Sequence, residues 1–206
     1  AAGKFRNAGQ VCISPTRFFV QDSIHDRFLV LFKEQVEAVK VGDGLDENIN
    51  MGPLVAERRI DIMDGFVSDA VSKGAELLVG GSGIQSPGSF FAPTLLQDVP
   101  DTARIMTEEP FGPIAPTARF ASLDEVIDRA NSLPFGLAAY AFTGSARTAG
   151  VLKREIEAGM LAINSLHVHS VETPFGGLKF SGYGHEGGIE GLEVFLATRY
   201  SSEIYG

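Results

Sequence analysis

The alternation of short apolar segments with amphipathic segments is the feature that most restricts how this chain can fold. Short aliphatic and aromatic runs predict strands, and they lie at 17–21, 76–79, 90–99, 115–120, 138–143 and 159–164. Apolar residues at helical spacing predict helices between them, over 22–39, 56–73, 122–132 and 145–157. Strands that alternate with amphipathic helices predict an α/β fold, with a mostly parallel sheet covered by helices on both faces.

Local signals refine the ends of these elements. Asp22 and Ser23 are candidate caps for the first long helix. Pro93 lacks a backbone N–H, which predicts that the strand over 90–99 lies at a sheet edge. After a long glycine-rich loop, a helix over 190–196 and a polar strand over 197–204 are expected.

Composition excludes several classes of protein. The 206 residues carry a net charge of −9, which disfavours nucleic acid and anionic membranes as partners. A single cysteine excludes a disulfide framework and a cysteine-rich zinc site. No apolar run approaches the roughly 18 residues that a membrane span needs, and the first residues lack the apolar region of a signal peptide. We therefore predict a cytoplasmic location, with an organelle matrix as the alternative.

Cys12 is the only thiol, and its surroundings, FRNAGQVCISP, are polar and contain glycine. A turn near a helix end, with backbone N–H groups and a nearby cation, lowers a thiol pKa and favours a nucleophilic thiolate. A buried structural cysteine is the alternative. The spacing alone does not decide between the two.

A pair of carboxylates, Glu108 and Glu109, runs directly into a rigid Pro-Phe-Gly-Pro turn over 110–113. A carboxylate held there can accept hydrogen bonds from vicinal hydroxyls, as on a ribose. The Phe111 ring can provide a flat wall for a planar group. The alternative is a solvated acidic surface.

Two other patterns carry less weight. Gly182, Gly184 and Gly187 spell G-x-G-x-x-G, but a loop rather than a strand precedes them, so we reject a phosphate-binding loop. His167 and His169 place two imidazoles on one side of an extended segment without a third ligand. We predict no metal site and interpret both histidines as polar loop or pocket residues.

Taken together, the chain resembles the NAD(P)-dependent aldehyde dehydrogenase superfamily over essentially all its residues, and most closely the succinate-semialdehyde dehydrogenases. The resemblance rests on segments that occur in the family's order: KFRNAGQVC, EEPFGPI, NSLPFGLAAYAFT, GMLAIN and PFGGLKFSGYGHEGG.

This resemblance implies a role for several residues. Cys12 matches the nucleophile, which attacks the aldehyde carbon to give a thiohemiacetal while its own backbone N–H helps to hold the oxyanion. Hydride transfer to NAD or NADP then leaves a thioester that water hydrolyses. Glu109 matches the residue that holds the nicotinamide-side ribose, and Phe111 matches the aromatic that packs near the nicotinamide.

The resemblance also suggests a substrate class. Arg6 matches an arginine that meets the distal carboxylate of succinate semialdehyde, and a guanidinium fork suits a planar carboxylate. Ser170 matches a substrate-contacting serine, and Phe175 matches a wall of the substrate tunnel. The alternative is that Arg6 only braces the cysteine loop through backbone carbonyls. Members with this arginine often carry a second cysteine two residues after the nucleophile, but here that residue is Ser14.

For the domain organisation, the resemblance implies a catalytic domain over 1–196 and an oligomerisation arm over 197–206. The arm would extend a neighbouring subunit's sheet in a dimer or tetramer. The family's cofactor-binding domain, oxyanion asparagine and general-base glutamate precede the nucleophile and lie outside these residues. We therefore expect the isolated chain to be inactive.

Three alternatives stay open at this point. One is the same chemistry on a neutral or aromatic aldehyde, with a structural Arg6. Another is a catalytically silent oligomerising scaffold of the same fold. The last is a thiol acyl-transfer enzyme that uses Cys12 without a nicotinamide.

Overall fold

Four strands form one sheet in the first part of the chain. The computed structural model describes residues 1–206, and its contacts divide them into two units, Ala1–Arg129 and Ala130–Gly206. The elements that begin in the first unit are α1 (Ala2–Phe5), β1 (Phe18–Gln21), α2 (Asp22–Glu37), α3 (Arg58–Ser72), β2 (Glu76–Val79), β3 (Thr94–Gln97), β4 (Ile114–Phe120) and α4 (Leu123–Asn131). The predicted alternation of strands and helices is confirmed.

The strand order is β1-β4-β3-β2, and only the β2–β3 pair is antiparallel. The predicted mostly parallel sheet is therefore confirmed. The edge position predicted for the strand after Pro93 is wrong, because β3 lies between β4 and β2. Pro93 directly precedes Thr94, the first residue of β3, so its missing N–H removes no hydrogen bond from the ladder.

Neighbouring residues of β1 show that helices cover both faces of this sheet. The Phe18 ring packs 5.3 Å from the Phe32 ring of α2. Phe19, which must point to the opposite face, lies beneath the guanidinium groups of Arg17 and of Arg129 in α4. The two helices thus lie on opposite sides of β1.

The core of this unit lies between the sheet and helices α2 and α3. Its fully buried members come from α2, α3, β3, β4 and the loops beside them. They include Val36, Met63, Ala70, Leu95, Leu96, Ile114 and Ala115. Because both β3 and β4 are buried nearly throughout, the residues at their ends have fixed positions.

The helix caps differ in part from the prediction. Helix α2 begins at Asp22 with Gln21 in the cap position, and no side chain caps it. The cap assigned to Asp22 and Ser23 is therefore wrong, although Asp22 in the first turn still complements the helix dipole. The helix that begins at Ala146 is capped by Ser145, whose hydroxyl accepts a hydrogen bond from the Thr148 N–H at 3.2 Å.

The second unit contains two strand pairs. Its elements are β5 (Phe135–Gly136), β6 (Ala138–Ala141), α5 (Ala146–Glu155), β7 (Met160–Ile163), β8 (Leu178–Lys179) and α6 (Glu190–Glu193). Strands β6 and β7 are parallel, and β5 and β8 are antiparallel. The short pair β5–β8 was missed because two-residue strands leave no periodic signal.

The end of the chain differs from the prediction. The helix expected over 190–196 is reduced to α6, and residues 197–206 are exposed and form no strand. An extended segment becomes a strand only by pairing its backbone with another strand, and this segment has no such neighbour within the chain. The domain bounds 1–196 and 197–206 remain predictions.

No helix of the structure combines the length and apolar character that crossing a membrane requires.

Candidate active site

The loop that carries Cys12 has an unusual backbone. Asn7, Ala8 and Gly9 all have positive φ, at 51°, 53° and 71°, which turns the chain sharply after α1. A turn closed by the hydrogen bond from Ser14 N–H to Val11 C=O, at 2.8 Å, then presents Cys12. The alternative of a buried structural cysteine is wrong, because Cys12 is exposed and free.

The backbone amide of Cys12 is also available. It donates to no group of the chain, so thiol and N–H are presented together on the same turn. An exposed sulfur beside a free backbone donor is the arrangement that nucleophilic attack on a carbonyl requires, since the donor can hold the oxyanion that forms.

The cysteine loop touches the loop over 107–113 at a pair of glycines. A Cβ built on Gly9 would lie 2.6 Å from the carbonyl carbon of Gly112 and closer still to its oxygen. Real side chains do not approach backbone atoms this closely, so only glycine allows the contact. The contact brings the Cys12 loop and the Glu109–Phe111 segment together.

The two adjacent carboxylates of the second loop have different surroundings. Both oxygens of Glu108 accept hydrogen bonds from Arg104, each at 2.9 Å, and these bonds lower the pKa of Glu108. Glu109 is exposed and accepts no hydrogen bond. Glu109 is thus the carboxylate of the pair that is free to bind hydroxyl groups.

Phe111 follows in a strained conformation. Its φ is 41°, and 39% of its surface is exposed, although the flanking Pro110 and Gly112 are buried. A non-glycine residue in this region costs about 1 kcal/mol or more and persists where the surroundings enforce it. The strain holds an aromatic ring at the surface beside Glu109.

Lys4 belongs to this region and was missed by the sequence analysis. Its side chain is 2% exposed and its Nζ has no hydrogen-bond partner. Burial lowers the pKa of Lys4 to about 7, and the negative charge of Glu109 partly opposes this shift. The only sequence signal was its place directly before Phe5 at the start of the KFRNAGQVC segment.

Replacing Lys4 by methionine is expected to stabilise the protein in acid and neutral solution. Below pH 7 the lysine is protonated in both the folded and unfolded states, so the folded state bears the full cost of the buried charge. Between pH 7 and about 10.5 Lys4 is neutral in the folded state but still protonated in the unfolded state, so the destabilisation decreases as the pH rises. Lys4→Met should therefore raise the free energy of unfolding at pH 6 by a few kcal/mol, on the order expected for a buried lysine.

Urea unfolding of the full-length protein at pH 6, 8 and 10 measures this gain, which should shrink as the pH rises. Lys153→Met is the matched control, because Lys153 is exposed and makes no ion pair. It should show no such pH dependence. A Lys4→Met protein that is less stable than the wild type at pH 6 would contradict the assignment.

Arg6 is exposed, and its side chain makes no hydrogen bond or ion pair with the chain. The bracing contacts to backbone carbonyls that the structural alternative requires are therefore not made. Its guanidinium, six residues before Cys12 on the same loop, is free to bind an anion.

Ser170 and Phe175 lie in the second unit. Ser170 closes a turn in which its N–H donates to Thr173 Oγ1 at 2.8 Å. The Phe175 backbone pairs with Glu186 in both directions, at 2.7 and 2.8 Å. The ring of His169 meets the Phe175 ring edge-on at 5.9 Å, which gives this loop an aromatic surface.

His167, His169 and the G-x-G-x-x-G pattern also lie in the second unit. The structure contains no group of three or more histidine, cysteine, aspartate or glutamate side chains placed to hold a metal ion. The glycines at 182, 184 and 187 have positive φ and act as turn residues, and the helix that follows them has only four residues.

Comparison with known proteins decides the family. The model of the aldehyde dehydrogenase family matches residues 1–200. The chain belongs to the aldehyde dehydrogenase family. It is 45% identical over 197 residues to a 4-(hydroxymethyl)benzenesulfonate dehydrogenase of Comamonas testosteroni, covering 96% of this chain and 41% of that protein. It is 40% identical over 199 residues to an NADP⁺ succinate-semialdehyde dehydrogenase of Escherichia coli, covering 97% and 41%.

The fold of this chain is also similar to that of a solved structure. The crystal structure of succinate-semialdehyde dehydrogenase from Burkholderia pseudomallei matches with a TM-score of 0.91 at 38% identity, covering 93% of this chain and 40% of that one. The chain thus spans about 41% of the length of the curated relatives it matches. The resemblance inferred from the sequence motifs is confirmed.

Proposed function

We propose that the full-length protein oxidises an aldehyde to a carboxylic acid with NAD⁺ or NADP⁺, with Cys12 as the nucleophile. The observation that carries the proposal is the contact between Gly9 and Gly112. The chain belongs to the aldehyde dehydrogenase family. In it, this contact joins the loop of Cys12, which has an exposed thiol and a free backbone N–H, to the loop of Glu109, whose carboxylate accepts no hydrogen bond.

Cys12 performs the covalent chemistry in this proposal. Its thiolate adds to the aldehyde carbon, and the resulting oxyanion of the thiohemiacetal accepts a hydrogen bond from the Cys12 N–H. When bound, the oxidised nicotinamide supplies the acceptor for the hydride that leaves this carbon. The thioester left on Cys12 is then attacked by water, which releases the acid and restores the thiol.

Glu109 and Phe111 fit the nicotinamide end of such a cofactor. An exposed carboxylate without a hydrogen-bond partner can accept from the two hydroxyls of a ribose. The Phe111 ring, 39% exposed beside it, can pack against a planar ring. These residues do not discriminate NAD from NADP.

Arg6, in the first unit, supports a carboxylate-bearing substrate, succinate semialdehyde or a similar aldehyde. The free guanidinium of Arg6 can bind a distal carboxylate with two parallel hydrogen bonds. Ser170 and Phe175, in the second unit, are proposed as substrate contacts from the family resemblance of their segment. Similarity to an Escherichia coli succinate-semialdehyde dehydrogenase supports the same class.

An aldehyde carrying a benzenesulfonate is the second candidate. The relative named for 4-(hydroxymethyl)benzenesulfonate favours it, and the same guanidinium can bind a sulfonate. In the second unit, the edge-on pair of His169 and Phe175 forms an aromatic surface of the kind that stacks on planar rings.

Assembly and location stay proposals as well. The exposed segment 197–206 is free to pair with the sheet of another subunit in a dimer or tetramer. A cytoplasmic location, with an organelle matrix as the alternative, is proposed from the single cysteine, which cannot form a disulfide within the chain.

The substrate assignment predicts that Arg6→Ala lowers kcat/KM for succinate semialdehyde but not for butanal, which has the same chain length and no carboxylate. Loss of a charge-assisted pair costs about 1.5–3 kcal/mol, or roughly 10- to 150-fold in kcat/KM. Steady-state rates of the full-length protein with each aldehyde, including 4-formylbenzenesulfonate, and with each cofactor measure this. Arg27→Ala is the control, because Arg27 is another exposed arginine whose side chain makes no hydrogen bond or ion pair.

Each result selects one assignment. A preference for succinate semialdehyde that Arg6→Ala abolishes supports the carboxylate proposal. Preference for 4-formylbenzenesulfonate supports the second candidate. Equal rates for succinate semialdehyde and butanal, unchanged in Arg6→Ala, would assign Arg6 no part in substrate binding.

A further inference from the structure

Arg59, the second residue of α3, reaches into the loop that presents Glu109 and Phe111. Its Nη2 donates to the Pro110 carbonyl oxygen at 2.5 Å and to the Phe111 carbonyl oxygen at 3.3 Å. It forms no ion pair with a carboxylate. One guanidinium therefore holds two consecutive carbonyls of this loop.

These two carbonyls have no other partner in the chain. They belong to a segment in which Phe111 is held at a positive φ of 41°. Such a conformation persists only where neighbouring contacts enforce it. The guanidinium is the polar group that contacts the strained peptide directly, and it thereby fixes the direction of the residues on either side.

Helix α3 makes a second contact with the same loop one turn later. A Cβ built on Gly112 would lie 3.2 Å from Met63 Cε and closer still to Met63 Sδ, so the methionine packs directly on the Gly112 backbone. Arg59 and Met63 are four residues apart and thus lie on one face of α3. That face supports the loop from Pro110 to Gly112.

The segment just before α3 is tied to the cysteine loop. Gln10 Oε1 accepts from the Val55 N–H at 2.8 Å, and Gln10 Nε2 donates to the Pro53 carbonyl at 3.2 Å. Residues 53–63 are therefore attached to the Cys12 loop through Gln10 and to the Glu109 loop through Arg59.

We propose that Arg59 is a positioning residue that sets the affinity for the nicotinamide cofactor by fixing the loop of Glu109 and Phe111. This inference rests on the proposed function. Arg59 does not contact Cys12, so it acts on the cofactor side of the site and leaves the nucleophile unaffected.

Arg59→Met in the full-length protein tests the proposal. We expect the KM for the cofactor to rise about tenfold, while kcat at saturating cofactor and the rate of Cys12 labelling by a thiol reagent stay within about twofold. Arg59→Lys should recover part of the loss, because an ammonium can donate to one of the two carbonyls. Arg58→Met is the matched control, since Arg58 is exposed and its side chain makes no hydrogen bond or ion pair.

Titration calorimetry of NAD⁺ and NADP⁺ gives the same comparison without turnover. A tenfold weaker Kd in Arg59→Met and a smaller loss in Arg59→Lys support the proposal. A Kd within twofold of the wild type overturns it, as does slower Cys12 labelling in both Arg59 variants. Absence of aldehyde oxidation by the wild type would overturn the proposed function, while the calorimetric comparison would still decide the role of Arg59.

Discussion

Cys12→Ser is expected to reduce aldehyde oxidation by the full-length protein at least about 10³-fold in kcat/KM. A serine hydroxyl stays protonated near neutral pH and is a far weaker nucleophile than a thiolate, and loss of a covalent nucleophile typically has effects of this size or larger. The thiol is the only one in this chain, so no neighbouring cysteine of the same loop can replace it. Initial rates with saturating aldehyde and cofactor measure the loss.

The substitution should leave the fold intact. Cys12 is exposed and packs in no core, and surface substitutions of this kind change stability by about 0.5 kcal/mol or less. The cofactor Kd and the thermal unfolding midpoint serve as controls and should match the wild type. A Cys12→Ser protein that retains activity within tenfold of the wild type would contradict the assignment of Cys12 as nucleophile.

Gly9→Ala is expected to destabilise the protein by about 3 kcal/mol or more and to abolish activity. The added methyl group would collide with the carbonyl group of Gly112, a backbone group that no rotamer change can move away. The φ of 71° at Gly9 adds a further cost of roughly 1 kcal/mol for alanine. Relief of the collision requires that the Cys12 loop and the Glu109 loop separate.

Urea unfolding and cofactor binding of the full-length protein measure these effects. Gly52→Ala is the matched control, because a methyl group there meets open space and the backbone has no positive φ. Its stability should change by less than about 1 kcal/mol. Equal stability of Gly9→Ala and Gly52→Ala would show that the close contact of the two loops is not maintained in solution.

Much of the fold follows from periodicity. Strands β1, β2, β4, β6 and β7 and helices α2 to α5 were predicted close to their observed bounds, since burial on one or both faces leaves a clear pattern. The position of β3 did not follow, because the order of strands in a sheet depends on tertiary contacts. The end of the chain did not follow either, since 197–206 has no partner strand within the chain.

The candidate site shows a similar division. The motifs nominated both Cys12 and Glu109, yet only the structure shows that their loops meet backbone to backbone at Gly9 and Gly112. The sequence did contain a signal that distinguishes the two carboxylates. Arg104 lies four residues before Glu108, a spacing that favours an ion pair between these two side chains.

Lys4 and Arg59 carried no comparable signal. Lysine and arginine are usually exposed, and nothing local distinguishes a buried lysine or an arginine that binds backbone carbonyls. The burial of Lys4 and the hydrogen bonds of Arg59 both depend on segments that are distant in sequence and meet only in the folded chain. Sequence patterns give little information about where an individual lysine or arginine side chain lies in the folded chain.

Covalent catalysis by Cys12 is tested by detecting an acyl group on its sulfur. The full-length protein is mixed with succinate semialdehyde and excess oxidised cofactor, quenched in acid within one turnover, digested and measured by mass spectrometry, with Cys12→Ser as the control. We expect a succinyl group on the peptide that contains Cys12, formed only when cofactor is present and absent from the control. Turnover of the aldehyde without any acyl group on that peptide, or with an acyl group on a different residue, would contradict it.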